Sequence, residues 1–178
     1  MTVSATPGLD LKRFIRDIPD FPKKGIVFKD ITPLLADGAA FSKTIDLLAA
    51  AGRRQKATKI VAIESRGFIF GSAVAQALGV GVVPVRKRGK LPFTTISTTY
   101  ALEYGTDALE MHVDALSAGD RALVVDDVLA TGGTAEAVVR LIQKAGGNAV
   151  WLAFVIELDF LSGRAKLPNL DVTALIRF

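Results

Sequence analysis

Apolar and polar positions along this chain follow two rhythms. Residues 59–63, 82–85, 121–125, 149–156 and 172–178 are short, nearly continuous apolar runs. Runs of that length and composition are the pattern of strands covered on both faces, as in a parallel sheet. Between them, 41–52, 68–78 and 135–144 place apolar residues at the spacing of amphipathic helices. Gly79 and the pair Gly146 and Gly147 stand where the last two helices would close. Strands alternating with helices predict right-handed β-α-β units: an α/β fold with a mostly parallel, twisted sheet flanked by helices. Near the N-terminus, 9–18 has helical spacing and runs into Pro19, which predicts a helix ending there. Residues 20–33 mix Pro, Gly, Lys and Asp and read as irregular. The stretch 87–105 shows no apolar period until the Thr-rich, β-prone run 94–100, and 108–113 alternates as a strand. These two runs predict an antiparallel flap within 87–113. No internal repeat or low-complexity tract appears, and 1–178 reads as a single domain.

Composition narrows the ligand. Half of the 178 residues are hydrophobic, enough for one packed core. Cysteine is absent, which excludes disulfides, thiolate catalysis and cysteine-held metals, and fits a reducing compartment. Residues 1–10 have neither the basic start nor the apolar centre of a secretory signal. The uncharged stretch 67–85 is interrupted by Ser72, Gln76, several Gly and Pro84, and divides into a helix, a Gly turn and a strand. A cytoplasmic location is therefore expected. The net charge is +4, and the basic residues are densest at Arg86, Lys87, Arg88 and Lys90. One short basic cluster with few aromatic residues favours a small anionic ligand over nucleic acid.

Ligands of parallel sheets bind beyond the C-terminal ends of the strands. Three charged segments fall there: Glu64-Ser65-Arg66-Gly67, Arg86 to Lys90, and Asp126-Asp127. The third is the most informative. The apolar run Leu123 to Val125 ends in Asp126 and Asp127, and the loop Ala130-Thr131-Gly132-Gly133-Thr134 leads at once into a helical pattern. A Gly-rich loop at a helix N-terminus is an anion site, because unpaired amides and the helix dipole point at the ligand. Two adjacent carboxylates suit hydroxyls rather than phosphate, and they are costly to bury without partners. The loop lacks the Gly-Lys-Ser/Thr end of a P-loop and the Gly-x-Gly-x-x-Gly of dinucleotide sites. The combination reads as a site for a phosphorylated sugar, with amides for the phosphate and Asp126 and Asp127 for the ribose diol.

This segment resembles the phosphoribosyl diphosphate (PRPP) motif of the type I phosphoribosyltransferases. Phe21-Pro22 to Phe28-Lys29-Asp30-Ile31, Ser65-Arg66-Gly67-Phe68, Arg86-Lys87-Arg88-Gly89-Lys90-Leu91-Pro92 and Leu102-Glu103-Tyr104-Gly105 are similar, in order, to the adenine-specific branch of that family. The resemblance implies Mg²⁺-dependent transfer of the 5-phosphoribosyl group from PRPP to adenine, giving AMP and pyrophosphate. It implies that Asp126, Asp127, Ala130, Thr131, Gly132, Gly133 and Thr134 hold the ribose and 5′-phosphate. Ser65, Arg66, Gly67, Arg86, Lys87 and Lys90 would take the pyrophosphate, with a cis peptide at Glu64–Ser65. Val27, Phe28 and Lys29 would read adenine from an N-terminal hood within residues 1–35. Glu103 and Tyr104 would be catalytic, on a flap that closes over the reacting centre. Mg²⁺ would be held mainly by PRPP, with no direct protein metal site. A homodimer is implied, with an arginine of the 86–88 loop reaching the neighbouring site. Glu64 stands where many relatives have Asp, and Phe93 where many have a small residue. His112 and Trp151 read as structural. Two other readings are a phosphoribosyltransferase for a different purine base and a PRPP-binding regulator, for which the chain offers no separate DNA-binding segment.

Overall fold

The computed structural model describes residues 9–101 and 106–178. In chain order the strands are β1 (Arg16–Pro19), β2 (Val27–Asp30), β3 (Lys59–Ile63), β4 (Gly81–Lys87), β5 (Thr95–Ala101), β6 (Thr106–His112), β7 (Arg121–Leu129), β8 (Asn148–Glu157) and β9 (Val172–Arg177). The helices are α1 (Thr32–Ala36), α2 (Gly38–Arg54), α3 (Arg66–Leu78) and α4 (Gly133–Lys144). β1 and β2 form a separate hairpin, and the other seven strands make one sheet in the order β5-β6-β4-β3-β7-β8-β9. From β4 to β9 neighbouring strands run parallel. β6 and β5 extend the β4 edge antiparallel.

Residues 60–63 of β3 and 122–125 of β7 are apolar and buried because helices cover both faces of the sheet. α2 and α3 pack on one face, where Leu48, Phe70 and Val74 meet Ile60 and Leu123. α4 covers the other, where Val138, Leu141 and Ile142 meet Val61, Val124 and Leu152. Burial of these side chains is the main force holding the layers together. Asp37 caps α2 by accepting the Ala40 amide at 2.8 Å. Among the described residues no helix is long and apolar enough to cross a membrane.

The strand order fixes where a ligand can enter. From β3 the chain passes through α3 to β4 on one side, and later returns to β7 on the other. A crevice opens between the C-terminal ends of two strands whose connections depart in opposite directions. β3 and β7 stay in register only as far as Ala62 and Val125. β7 continues beside β8 as far as Leu129 and Glu157. From Asp126 onward one edge of β7 therefore faces the crevice.

The expected strands and helices of the sheet are all present, with modest shifts at their ends. Three expectations are corrected. The predicted helix over 9–18 is replaced by a 3-10 turn at Leu11–Phe14, capped by Asp10, followed by β1. Ladder bonds to β2, with Arg16 opposite Asp30 and Pro19 opposite Val27, satisfy this backbone instead. For the same reason 20–33 is not wholly irregular: it contains β2 and the start of α1. The strand expected over 121–125 runs on to Leu129, held by β8, so the acidic pair lies within the strand rather than in the loop after it. The predicted antiparallel pair is present as β5 and β6, in continuous register from Thr95–His112 to Ala101–Thr106. Glu103 and Tyr104, between β5 and β6 in the chain, lie outside the described residues. Trp151 is buried, and His112 packs its ring edge-on to Phe93, with centroids 5.9 Å apart.

Candidate active site

A cavity of about 590 Å³ fills the crevice at the strand ends. Val27, Phe28 and Lys29 of β2 form one wall, and Ser65 and Arg66 at the start of α3 another. Lys87, Tyr100, Asp126, Asp127, Ala130 and Thr134 complete it. A smaller hollow of about 80 Å³ adjoins, sharing Asp126, Ala130 and Thr134 and adding Thr131 and Gly132.

The smaller hollow is shaped by the loop that enters α4. Gly132 is the N-cap, with φ 79° and no side-chain cap bond. The first-turn amides of α4 are therefore left for a ligand, with the positive end of the helix dipole behind them. The loop passes so close to the Gly163 backbone that a Cβ at position 132 would strike the Gly163 carbonyl. The Gly163 segment is itself fastened. The Arg164 guanidinium donates to both carboxylate oxygens of buried Glu157, each at 2.6 Å, and to the Val172 carbonyl at 2.8 Å.

The acidic pair divides in character. Asp127 is buried and accepts a hydrogen bond from Arg66 Nε. Asp126 Oδ1 accepts the Asp127 amide at 2.9 Å. Burial pushes the Asp126 carboxyl well above the ordinary carboxylate range, and the neighbouring Asp127 charge pushes it further. The folded protein thus binds this proton more tightly than the unfolded chain. Stability falls as pH rises from the ordinary carboxylate value through the raised one, and the loss is complete above it. Asp126→Asn, which keeps the acceptor for the Asp127 amide, is therefore expected to raise the thermal midpoint at neutral pH. The gain should vanish below the ordinary carboxylate range. Melting curves across pH test this, and a variant less stable than wild type at pH 7 would contradict it.

The basic loop after β4 is ordered by counter-charges. Arg86 donates to Glu64 Oε1 and to the Lys90 carbonyl, both at 2.9 Å. Lys87 Nζ lies 3.1 Å from Asp107, whose hydrogen bond raises the lysine's affinity for its proton. Phe28 presents a ring to the cavity, with Phe21 edge-on at 5.2 Å and the Arg66 guanidinium 5.7 Å from its centre. The Lys29 ammonium points away, to Asp17 at 2.7 Å and over the Phe178 ring. Any role of residue 29 at the base therefore falls to its backbone. Glu64–Ser65 and Phe21–Pro22 are cis. Gly67, Gly133, Arg86 and Lys90 line neither cavity. Gly67 backs the acidic pair, since a Cβ there would sit 2.8 Å from Asp126 Oδ1.

Residues 31–171 match the phosphoribosyl transferase domain family. The adenine phosphoribosyltransferase of Geobacter metallireducens is 58% identical over 169 residues, covering 95% of this chain and 99% of its own. The chain belongs to the adenine phosphoribosyltransferase family. Solved structures of the family superpose closely. The enzyme of Thermoanaerobacter pseudethanolicus has a TM-score of 0.91 at 54% identity, over 94% of this chain and 98% of its own. That of Saccharomyces cerevisiae, in complex with adenine and an imino-altritol bisphosphate, has a TM-score of 0.87 at 45% identity, over 93% and 96% of the two chains.

Several residues that line or brace the cavity carry no sequence signal. Tyr100 is a cavity wall on a Thr-rich strand, and its hydroxyl is held un-ionised first of all by burial. Leu158 lines the cavity from beyond the end of β8. Gly163 braces a loop some thirty residues earlier in the chain. No pattern of spacing points to these, because their places are set by contacts between distant segments: Tyr100 by the pairing of β5 with β6, Leu158 by its amide bond to the Leu129 carbonyl, and Gly163 by its close approach to Gly132.

Proposed function

We propose that this chain transfers the 5-phosphoribosyl group of PRPP to N9 of adenine, releasing pyrophosphate and forming AMP, in purine salvage. The observation that carries this reading is one cavity holding an acidic pair on a strand edge beside an uncapped helix N-terminus. Asp126 and Asp127 take the ribose 2′ and 3′ hydroxyls. The amides and hydroxyls of Ala130, Thr131, Gly132, Gly133 and Thr134 cradle the 5′-phosphate. Ser65, Arg66, Gly67, Arg86, Lys87 and Lys90 compensate the charge that develops on pyrophosphate as it leaves. Phe28 stacks on adenine, and backbone groups of Val27 and Lys29 read its edge. The N9–C1′ bond forms as the C1′–O bond to pyrophosphate breaks, and Glu103, with Tyr104 beside it, handles the purine proton. The hairpin within residues 1–35 serves as hood, and residues 87–113 as a lid that excludes water from the oxocarbenium-like transition state.

Mg²⁺ fits this site as a passenger of the substrate. Among the described residues no group of three or more His, Cys, Asp or Glu could hold a metal ion. The oxygens of PRPP would supply most of its ligands, with Asp126, Asp127 and Glu64 the carboxylates lining the cavity. When bound, it offsets negative charge on the departing pyrophosphate. A cytoplasmic homodimer completes the proposal. In the 86–88 loop Arg86 is engaged internally, while the Arg88 side chain is 78% exposed, touches Glu110 only at 3.9 Å, and would be the arginine that extends toward a neighbouring site.

Competition among free purines tests the choice of base. Adenine should be consumed in preference to hypoxanthine, guanine and xanthine, and faster turnover of a 6-oxopurine would overturn the assignment. Phe28→Ala should raise KM for adenine about 5- to 50-fold, the worth of one aromatic–base stack. KM for PRPP should change less than about threefold, since the two ligands meet different walls. Steady-state kinetics in both substrates check this.

A further inference from the structure

The basic loop 86–90 places four cations within five residues. Such a segment repels itself and would be expected to splay into solvent. Its first residues are instead laddered to β6, Asp107 pairs with Lys87, and two glutamates grip the segment from both sides. Glu64 uses both carboxylate oxygens: Oε1 accepts from Arg86 at 2.9 Å, and Oε2 accepts the Lys87 amide at 3.0 Å. Its carboxyl is held below the ordinary range, first by the Arg86 hydrogen bond. Glu110 lies on β6 directly opposite Arg86 and is only 7% exposed. Its Oε2 accepts the Gly89 amide at 2.9 Å, and Arg88 Nε stands 3.9 Å from Oε1. A carboxylate so buried is tolerated only with partners, and these partners belong to the loop.

We infer that Glu64 and Glu110 are positioning residues that jointly fix the 86–90 loop, so that its cations are already in place when pyrophosphate departs. Charge stabilisation of a leaving group is effective when the stabilising groups need not reorganise during the reaction. The two glutamates supply that rigidity, as outer partners do for the ligands of a metal. Their grips differ. At position 110 a glutamine keeps an acceptor for the Gly89 amide. At position 64 a glutamine must set its NH₂ against one of two donors.

The inference rests on the phosphoribosyltransferase reading, and its test separates the two. Wild type, Glu110→Ala, Glu110→Gln and Glu64→Gln are compared for KM of PRPP, KM of adenine and inhibition by added pyrophosphate. Wild type that neither makes AMP nor responds to pyrophosphate overturns both the reading and the inference. With active wild type, Glu110→Ala and Glu64→Gln should raise KM for PRPP and the pyrophosphate inhibition constant about tenfold, the scale of one lost charge-assisted hydrogen bond. KM for adenine should stay within about twofold, and Glu110→Gln within about threefold of wild type throughout. Unchanged pyrophosphate inhibition in Glu64→Gln, equal damage in Glu110→Gln and Glu110→Ala, or a parallel rise of both KM values would each overturn the inference alone. Should Glu110→Ala not fold, the contrast between Glu64→Gln and Glu110→Gln decides.

Discussion

Replacing Asp127 by Asn is expected to lower kcat/KM for PRPP about 10²–10³-fold while leaving the secondary structure intact. Asp127 is buried at the crevice edge of β7, where β3 no longer pairs with it. On the proposed assignment its carboxylate accepts from a ribose hydroxyl and also holds Arg66 by ion pairing. Both interactions are charge-assisted, and each is worth about 1.5–2 kcal/mol, so their joint loss reaches about 3–4 kcal/mol. Asn keeps the size and loses the charge, and it turns an NH₂ toward one of two donors. On the same assignment, the Arg66 guanidinium, without its partner, would no longer point where the pyrophosphate leaves. The effect should appear with PRPP as the varied substrate, and KM for adenine should change little. A variant with wild-type kcat/KM for PRPP would show that the diol lies elsewhere.

Gly132→Ala is expected to be the most damaging single-methyl change. Two independent penalties meet at this position. An alanine at φ 79° is strained by about 1–2 kcal/mol. Its Cβ would also strike the Gly163 carbonyl, which cannot yield because Arg164 ties that segment to Glu157. Overpacking of this kind costs about 1–3 kcal/mol more. The sum, about 2–5 kcal/mol, should appear as lost stability in denaturant unfolding. Where the loop relieves the clash by moving, the amides leave the phosphate, and KM for PRPP should rise at least about 100-fold. Gly79→Ala provides the control. Gly79 also has positive φ, but nothing lies within 4 Å of its Cβ position. It should lose about 1–2 kcal/mol of stability and keep its KM values.

What the sequence reveals about this fold follows from which interactions are local. β3 is legible residue for residue, because a strand buried on both faces must be apolar without interruption. The three charged segments at strand ends are legible for a related reason: carboxylates and guanidinium groups directly after a buried run have no place in the core. β1 is not legible, since its extended conformation depends on β2 in the next segment, and its own spacing suits a helix equally well. The reach of β7 past Asp127 is set by pairing with β8, a partner later in the chain. Glu110 looks like any outward-facing polar position on an alternating strand, yet it is buried against the basic loop. Gly163 and Glu157 brace the phosphate loop through the fold alone. Most of the cavity's charged lining was thus readable from motif and position, whereas Tyr100, Leu158 and the residues that brace the loops emerge from tertiary packing.

The central claim is that one cavity holds adenine beside PRPP and exchanges pyrophosphate for the base. The most direct test follows AMP formation by the purified chain, supplied with adenine, PRPP and Mg²⁺ and with each omitted in turn. AMP and pyrophosphate should appear in equal amounts with the full mixture, and omission of adenine or PRPP should abolish both. No AMP from the complete mixture, or its formation without PRPP, would contradict the account.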